Sequence, residues 1–219
     1  MSISTAKMAA ALGGAGAVGT GGYFAVKNLP STPISIKESL LKEEYELISG
    51  IESKEKREGQ YKTTFLAYAS DSEFLREINK HKGEGADLTS SDNGDKGKLA
   101  LEKLCSSYLS STDTFHLKNS QKWCVLRIMD KEVSDKTWIS LSESGTDAKW
   151  KSSFTANKNL LISLGIDGIT NSTDENAGHP KVKEWCTKNT KLVINKENKN
   201  VTNNAYQICT EAKQASAQS

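Results

Sequence analysis

An excess of charge of one sign is what this chain most lacks. Its 29 Lys and Arg stand against 27 Asp and Glu, for a net charge of +2. A nucleic-acid binder normally shows a basic excess on one face. The charged runs here, Lys54 to Glu58 and Lys196 to Lys199, are mixed in sign or short, so no nucleic-acid partner is expected. Apolar character is scarce too: 36% of residues are hydrophobic and the mean hydropathy is -0.54. Most of the chain therefore reads as soluble, and its length suits one domain or two small ones with a buried core.

Catalytic and nucleotide-binding signatures are missing. There is no GxSxG, HExxH, GxxxxGK[ST] or GxGxxG. Asp92-Asn93-Gly94-Asp95 fails the calcium-loop register, because Gly94 and Lys96 stand where ligands would be needed. No CxxC or CxxH spacing occurs, and His81, His116 and His179 are scattered, which argues against zinc. His116 lies between Cys105 and Cys124, but a lone histidine in a polar loop reads as solvated. No enzyme activity, cofactor or metal is expected.

What is present begins with residues 8 to 26, a run of 19 without a charge, bounded by Lys7 and Lys27. That length just spans a bilayer. Six of its residues are Gly and six Ala, a composition that penalises a helix unless lipid and neighbours enforce it. The reading is a membrane anchor or uncleaved signal within residues 1–29. A flexible Gly/Ala leader and a signal cleaved at Ala15-Gly16-Ala17 are the alternatives. The segment has no cysteine, which argues against a lipoprotein anchor.

After Pro30 and Pro33, the central feature is an internal repeat. Tyr61-Lys62-Thr63-Thr64-Phe65-Leu66-Ala67 returns as Trp150-Lys151-Ser152-Ser153-Phe154-Thr155-Ala156, and repetition has to be recognised before a fold is assigned. Both copies are predicted to be helical, from about Lys54 to Ala69 and from about Asp147 to Leu164. The aromatic and Phe are four apart, which stacks them on one helix face. They read as the core anchors of each half, with a paired aromatic binding surface as the alternative.

Around this motif the other elements recur in order. Ser35-Ile36-Lys37-Glu38 forms a capping box, and apolar positions at helical spacing carry the predicted helix to about Ile48. Val133 to Ile139 is expected to open the second half in the same way. Leu101, Leu104, Cys105 and Tyr108 predict an amphipathic helix over Leu99 to Leu109. Its counterpart is Val182 to Cys186, opened by Pro180. Asn119 and Asn204, each five residues before a cysteine, are expected to cap a further helix. Thr114 to Leu117 and Lys191 to Asn195 are candidate short strands. The first half is longer by eight residues between the aromatic motif and its first cysteine. Residues 83–97, of loop composition, are expected to absorb that difference. The fold class is therefore mainly α: two tandem helical repeats, residues 30–129 and 130–219, with short strands and an N-terminal membrane-anchor helix.

Four cysteines, two at matching places in each half, read as two disulfides in an oxidising compartment. Of three connectivities, Cys105 with Cys124 and Cys186 with Cys209 is favoured, because a duplicated unit most simply keeps its own bond. Four reduced thiols in a cytosolic protein are the alternative.

The Gly/Ala-rich N-terminal segment, the Ile-Ser and Val-Ser helix starts, the aromatic-Lys motifs, and the pairs Trp123-Cys124 and Trp185-Cys186 carry a family likeness. Together they resemble the paralogous families of uncharacterised, membrane-anchored surface proteins of haemotropic mycoplasmas. The resemblance covers the whole chain, with departures at Ile208-Cys209, where a Trp-Cys would close the second half, and at Tyr61, opposite Trp150. It implies a wall-less cell, a single-pass anchor with the soluble region outside, and a role as surface antigen or host-contact protein. The partner it implies is a host surface or plasma component. It carries no biochemical activity to any residue, and the oligomeric state is left open.

Overall fold

The computed structural model describes residues 33–143 and 145–213. The predicted anchor, residues 8 to 26, lies outside them. Among the described residues there are eight α-helices and a single two-stranded sheet, so the protein is mainly α.

The first helix, α1 (Ile36–Lys42), starts at the predicted capping box. Glu38 N–H donates to Ser35 Oγ at 3.2 Å, and Ser35 N–H donates to the Glu38 carboxylate at 2.8 Å. It ends well before Ile48. Glu44 takes a left-handed φ of 57°, and the chain then leaves the helix so that Leu47 can pair with Val125. Apolar spacing at Tyr45, Leu47 and Ile48 fits a helix, but a longer-range backbone pairing uses the same residues.

Helix α2 (Lys54–Tyr68) carries the first aromatic-Lys motif, and α6 (Asp147–Ser163) the second, at nearly the expected bounds. Between α2 and α4 (Asp95–Ser110) stands α3 (Ser72–Asn79), capped by Asp71, whose carboxylate accepts Glu73 N–H at 2.9 Å and Phe74 N–H at 3.3 Å. The second half has no counterpart to α3, because α6 leads through a loop directly to α7 (Glu175–Asn189). The length difference therefore includes a helix as well as loop.

Several local expectations are corrected. Helix α7 starts at Glu175, not near Pro180. Asp174 accepts the N–H groups of Asn176 and Ala177 at 2.8 and 2.9 Å, and this cap sets the start while the helix absorbs one missing proline donor. Asn119 and Asn204 lie inside α5 (Leu117–Trp123) and α8 (Lys199–Ile208) and cap neither. Asp113 and Asn195, further upstream, accept the N–H groups of Phe115 and Asn198, both at 2.9 Å, so the chain has turned before either Asn. Thr114–His116 is a 3₁₀ turn rather than a strand. In Lys191 to Asn195, Val193 alone makes a bridge, to Arg127. The strands are β1 (Lys136–Trp138) and β2 (Thr210–Ala212), paired antiparallel. β1 occupies the stretch expected to open the second half as a helix. Asp135, with φ of 56°, turns the chain into it.

Packing follows one pattern in both halves. The Phe65 ring of α2 lies against Gly97 of α4, and the Phe154 ring of α6 lies against Gly178 of α7. A Cβ on either glycine would fall 2.4 Å and 2.2 Å from the ring. Each glycine stands eight residues before a cysteine. Cys105 bonds Cys124, with Cα atoms 5.4 Å apart, and Cys186 bonds Cys209, at 5.7 Å. Each disulfide ties a long helix to the end of the short helix after it. Beyond the second cysteine of each pair, the chain closes onto the segment before the aromatic helix: Ile48 N–H donates to Cys124 C=O at 3.1 Å, and Ile139 N–H to Cys209 C=O at 3.0 Å.

The halves also meet through their backbones. Ile194 N–H donates to Leu126 C=O at 2.9 Å, and Ile128 N–H donates to Leu192 C=O at 2.8 Å. The buried residues of both, from Ile36 to Cys209, form one continuous core. Tyr61, Phe65, Trp150 and Phe154 all sit in it at 2% exposure or less, which places the repeated aromatics in the core rather than on a binding surface.

Candidate functional site

The four cysteines are all oxidised and essentially buried, so none is available as a nucleophile beside His116. That histidine is half-buried rather than fully solvated as its loop suggested. Its ring stacks on Tyr108 of α4 with centroids 4.1 Å apart, while His81 meets the same Tyr108 ring edge-on at 5.7 Å. The Tyr108 hydroxyl donates to the buried Glu77 carboxylate at 2.9 Å, and Lys80 donates to the same carboxylate at 2.9 and 2.8 Å. Burial raises the Glu77 pKa, but the bonds from Lys80 and Tyr108 outweigh it and hold the carboxyl below its ordinary value. Burial and the bond to Glu77 push the Tyr108 phenol up. The cluster fastens α3 to α4, and Phe115 beside it is 76% exposed.

This corner should loosen in mild acid. Burial, opposed by Glu77 and reinforced by His116 and Lys80, holds the His81 imidazole below its ordinary value. The unfolded chain protonates His81 near pH 6.5, the folded chain only at lower pH. Between those limits the unfolded state binds more protons, so the contribution of His81 is complete above about pH 6.5 and is lost as pH falls through the folded value. Urea midpoints measured from about pH 7.5 to about pH 5.5 should decline, and the decline should be shallower in His81→Gln. An unchanged slope in that variant would assign the acid sensitivity elsewhere.

The second feature is a surface groove of 630 Å³ in the second half, between α6 and β2. Ala148, Ser152 and Ala156, one turn apart, form its wall on α6, and Gln207, Thr210 and Ala212 face them. Lys149 pairs with Glu211 across it at 2.6 Å. At the margin Lys136 Nζ donates to the Tyr206 carbonyl at 3.0 Å. Deeper in, Ser153 Oγ donates to Ile208 C=O at 2.5 Å, and Asn157 Nδ2 donates to Ser153 C=O at 2.9 Å. The lining contains no histidine and one carboxylate, already held by a lysine. Its chemistry is that of hydrogen bonding through amides, hydroxyls and the backbone of β2.

Sequence reasoning missed this groove, because its residues are small and polar and resemble any exposed helix face. One signal did exist: where the halves are aligned on the aromatic motif, Asn157 falls opposite the much larger Tyr68.

Among the described residues, no group of His, Cys, Asp and Glu is arranged to hold a metal ion, and no helix is long and apolar enough to cross a membrane. No protein-family model matches the chain, and no curated protein or solved structure matches it.

Proposed function

We propose that this protein is a membrane-anchored, extracellular contact protein, non-enzymatic, built from two copies of one helical unit (residues 30–129 and 130–219) behind an anchor at residues 8 to 26. The observation that carries this reading is the pair of disulfides at matching places, Cys105–Cys124 and Cys186–Cys209, since disulfides persist outside the reducing cytosol. The duplication is supported by the shared frame: a Phe ring against a helix glycine, a disulfide after it, and a backbone closure beyond the second cysteine. The resemblance to the surface proteins of haemotropic mycoplasmas supports display outside a wall-less cell, and a role as surface antigen or host-contact protein.

Pull-down of residues 30–219 on host cell-surface and plasma fractions tests the contact role. A specific, saturable capture is the expected result, and recovery of nothing above a scrambled control would remove it. The anchor has its own test. Full-length protein should require detergent to stay dispersed, whereas a monodisperse full-length protein in plain buffer would contradict residues 8 to 26 as a lipid-embedded helix.

A further inference from the structure

The two halves differ at one matched place, beside the groove of the second half. In the first half the backbone after Cys124 is closed along its outer edge from within the chain. Asp130 N–H donates to Arg127 C=O at 3.0 Å. The Asp130 carboxylate accepts Arg127 N–H at 3.0 Å and grips its guanidinium at 2.8 and 2.8 Å. Tyr68 of α2 fills the space alongside, with the Lys122 ammonium 5.4 Å from its ring centroid.

Alignment on the aromatic motif and on the second cysteine puts Asn157 opposite Tyr68, Gln207 opposite Lys122 and Ala212 opposite Arg127. Each is smaller or uncharged, and Ala215, which the same alignment puts opposite Asp130, has no carboxylate. In the β1–β2 ladder Ile139 N–H donates to Cys209 C=O at 3.0 Å, and Lys213 N–H donates to Asp135 C=O at 2.9 Å. Alternation along a strand then turns the backbone groups of Thr210 and Ala212 away from β1. On that side they have no backbone partner among the described residues.

We propose that the groove between α6 and the free edge of β2 binds an extended acidic peptide segment of a partner. Its backbone pairs with Thr210 and Ala212, and its Asp or Glu carboxylate takes the place that Asp130 holds in the first half. Strand addition to an exposed edge is an established mode of peptide recognition. The small side chains of Ala148, Ser152 and Ala156 let a backbone approach α6 closely. The acidic preference follows from charge: Lys149 is paired with Glu211, but Lys136 at the margin bonds only a carbonyl among the described residues. The inference rests on the contact reading only in requiring a partner outside the chain.

The test uses the isotope-labelled full-length protein and the capped peptide acetyl-Thr-Val-Asp-Val-Thr-amide, followed by amide shifts. Saturable shifts centred on Thr210 and Ala212 are expected, with binding at least threefold weaker for the Asn analogue of the peptide and for Lys136→Gln. Asn157→Tyr, which restores the first-half residue, should abolish binding. Ala156→Leu, at an exposed position, should weaken it without disturbing the core. No saturable shift at residues 210–212, equal binding of the two peptides, or shifts at that edge on raising protein concentration alone would each overturn the proposal, the last because a second copy would then be the occupant. Peptide binding with a failed pull-down would keep the groove and remove the host-contact reading; a successful pull-down without peptide binding would do the reverse.

Discussion

Phe154→Ala should destabilise the protein by about 3–5 kcal/mol, and Phe65→Ala by a similar amount. Both rings are buried, and each fills the space left by a glycine on the neighbouring helix, Gly178 and Gly97. Removing a ring leaves a cavity that a rigid helix pair collapses only in part. The glycines supply the sharper test. Gly→Ala within a helix ordinarily stabilises it by about 1 kcal/mol. Here the added methyl would lie 2.2 Å from the Phe154 ring or 2.4 Å from the Phe65 ring. Overpacking of that kind costs about 1–3 kcal/mol, so Gly178→Ala should destabilise the parent protein. In the Phe154→Ala background the same change should be neutral or stabilising. A double-mutant cycle by urea unfolding measures this coupling directly. Stabilisation by Gly178→Ala in the parent would contradict the close helix approach.

Reduction of both disulfides should cost about 6 kcal/mol, roughly 3 for each by the chain-entropy account of loops this size. The cysteines of each pair are separated by 19 and 23 residues. Since a domain's whole stability is about 5–15 kcal/mol, the reduced protein should be unfolded or close to it at physiological temperature. Cys186→Ser with Cys209→Ser should show half of this effect. Intact mass without reductant should be lower than the reduced mass by four hydrogens, and a peptide map should recover only the pairs 105–124 and 186–209. Four alkylatable thiols in freshly isolated protein would remove both the bonds and the extracellular placement that depends on them.

Long amphipathic stretches are legible in the sequence, because periodic burial is written into residue order. The helices carrying Tyr61 and Trp150, the buried side of the helix carrying Cys105, and the capping box at Ser35 needed only local spacing. Repeated order alone favours the pairing of the cysteines. Gly97 and Gly178 carried a signal too, eight residues ahead of matching cysteines, but a glycine in a helix says nothing of the ring that covers it until both helices are placed.

Short elements were a different matter. Leu47 and Ile48 satisfy a helical pattern, yet they leave α1 to join the backbone beside Cys124, a partner far along the chain. Asn119 and Asn204 have the chemistry of caps, but bonds from Asp113 and Asn195 turn the chain upstream, so both Asn lie inside helices that have already begun. Helix α3 fills the first half with Phe74 and Ile78 and has no second copy to reveal it.

The residue order by itself determined the mainly helical class and favoured aromatic core anchors and one set of cysteine pairs, since these depend on spacing along one helix or on repetition. Only the tertiary structure decided where α1 stops, which of three connectivities the cysteines take, that β1 and β2 form the sheet, and that among the described residues the second half keeps a groove where Tyr68 and Arg127 fill the first. Those outcomes depend on backbone hydrogen bonds and side-chain volumes between residues distant in the chain, and no local pattern encodes which of two distant partners a donor will find.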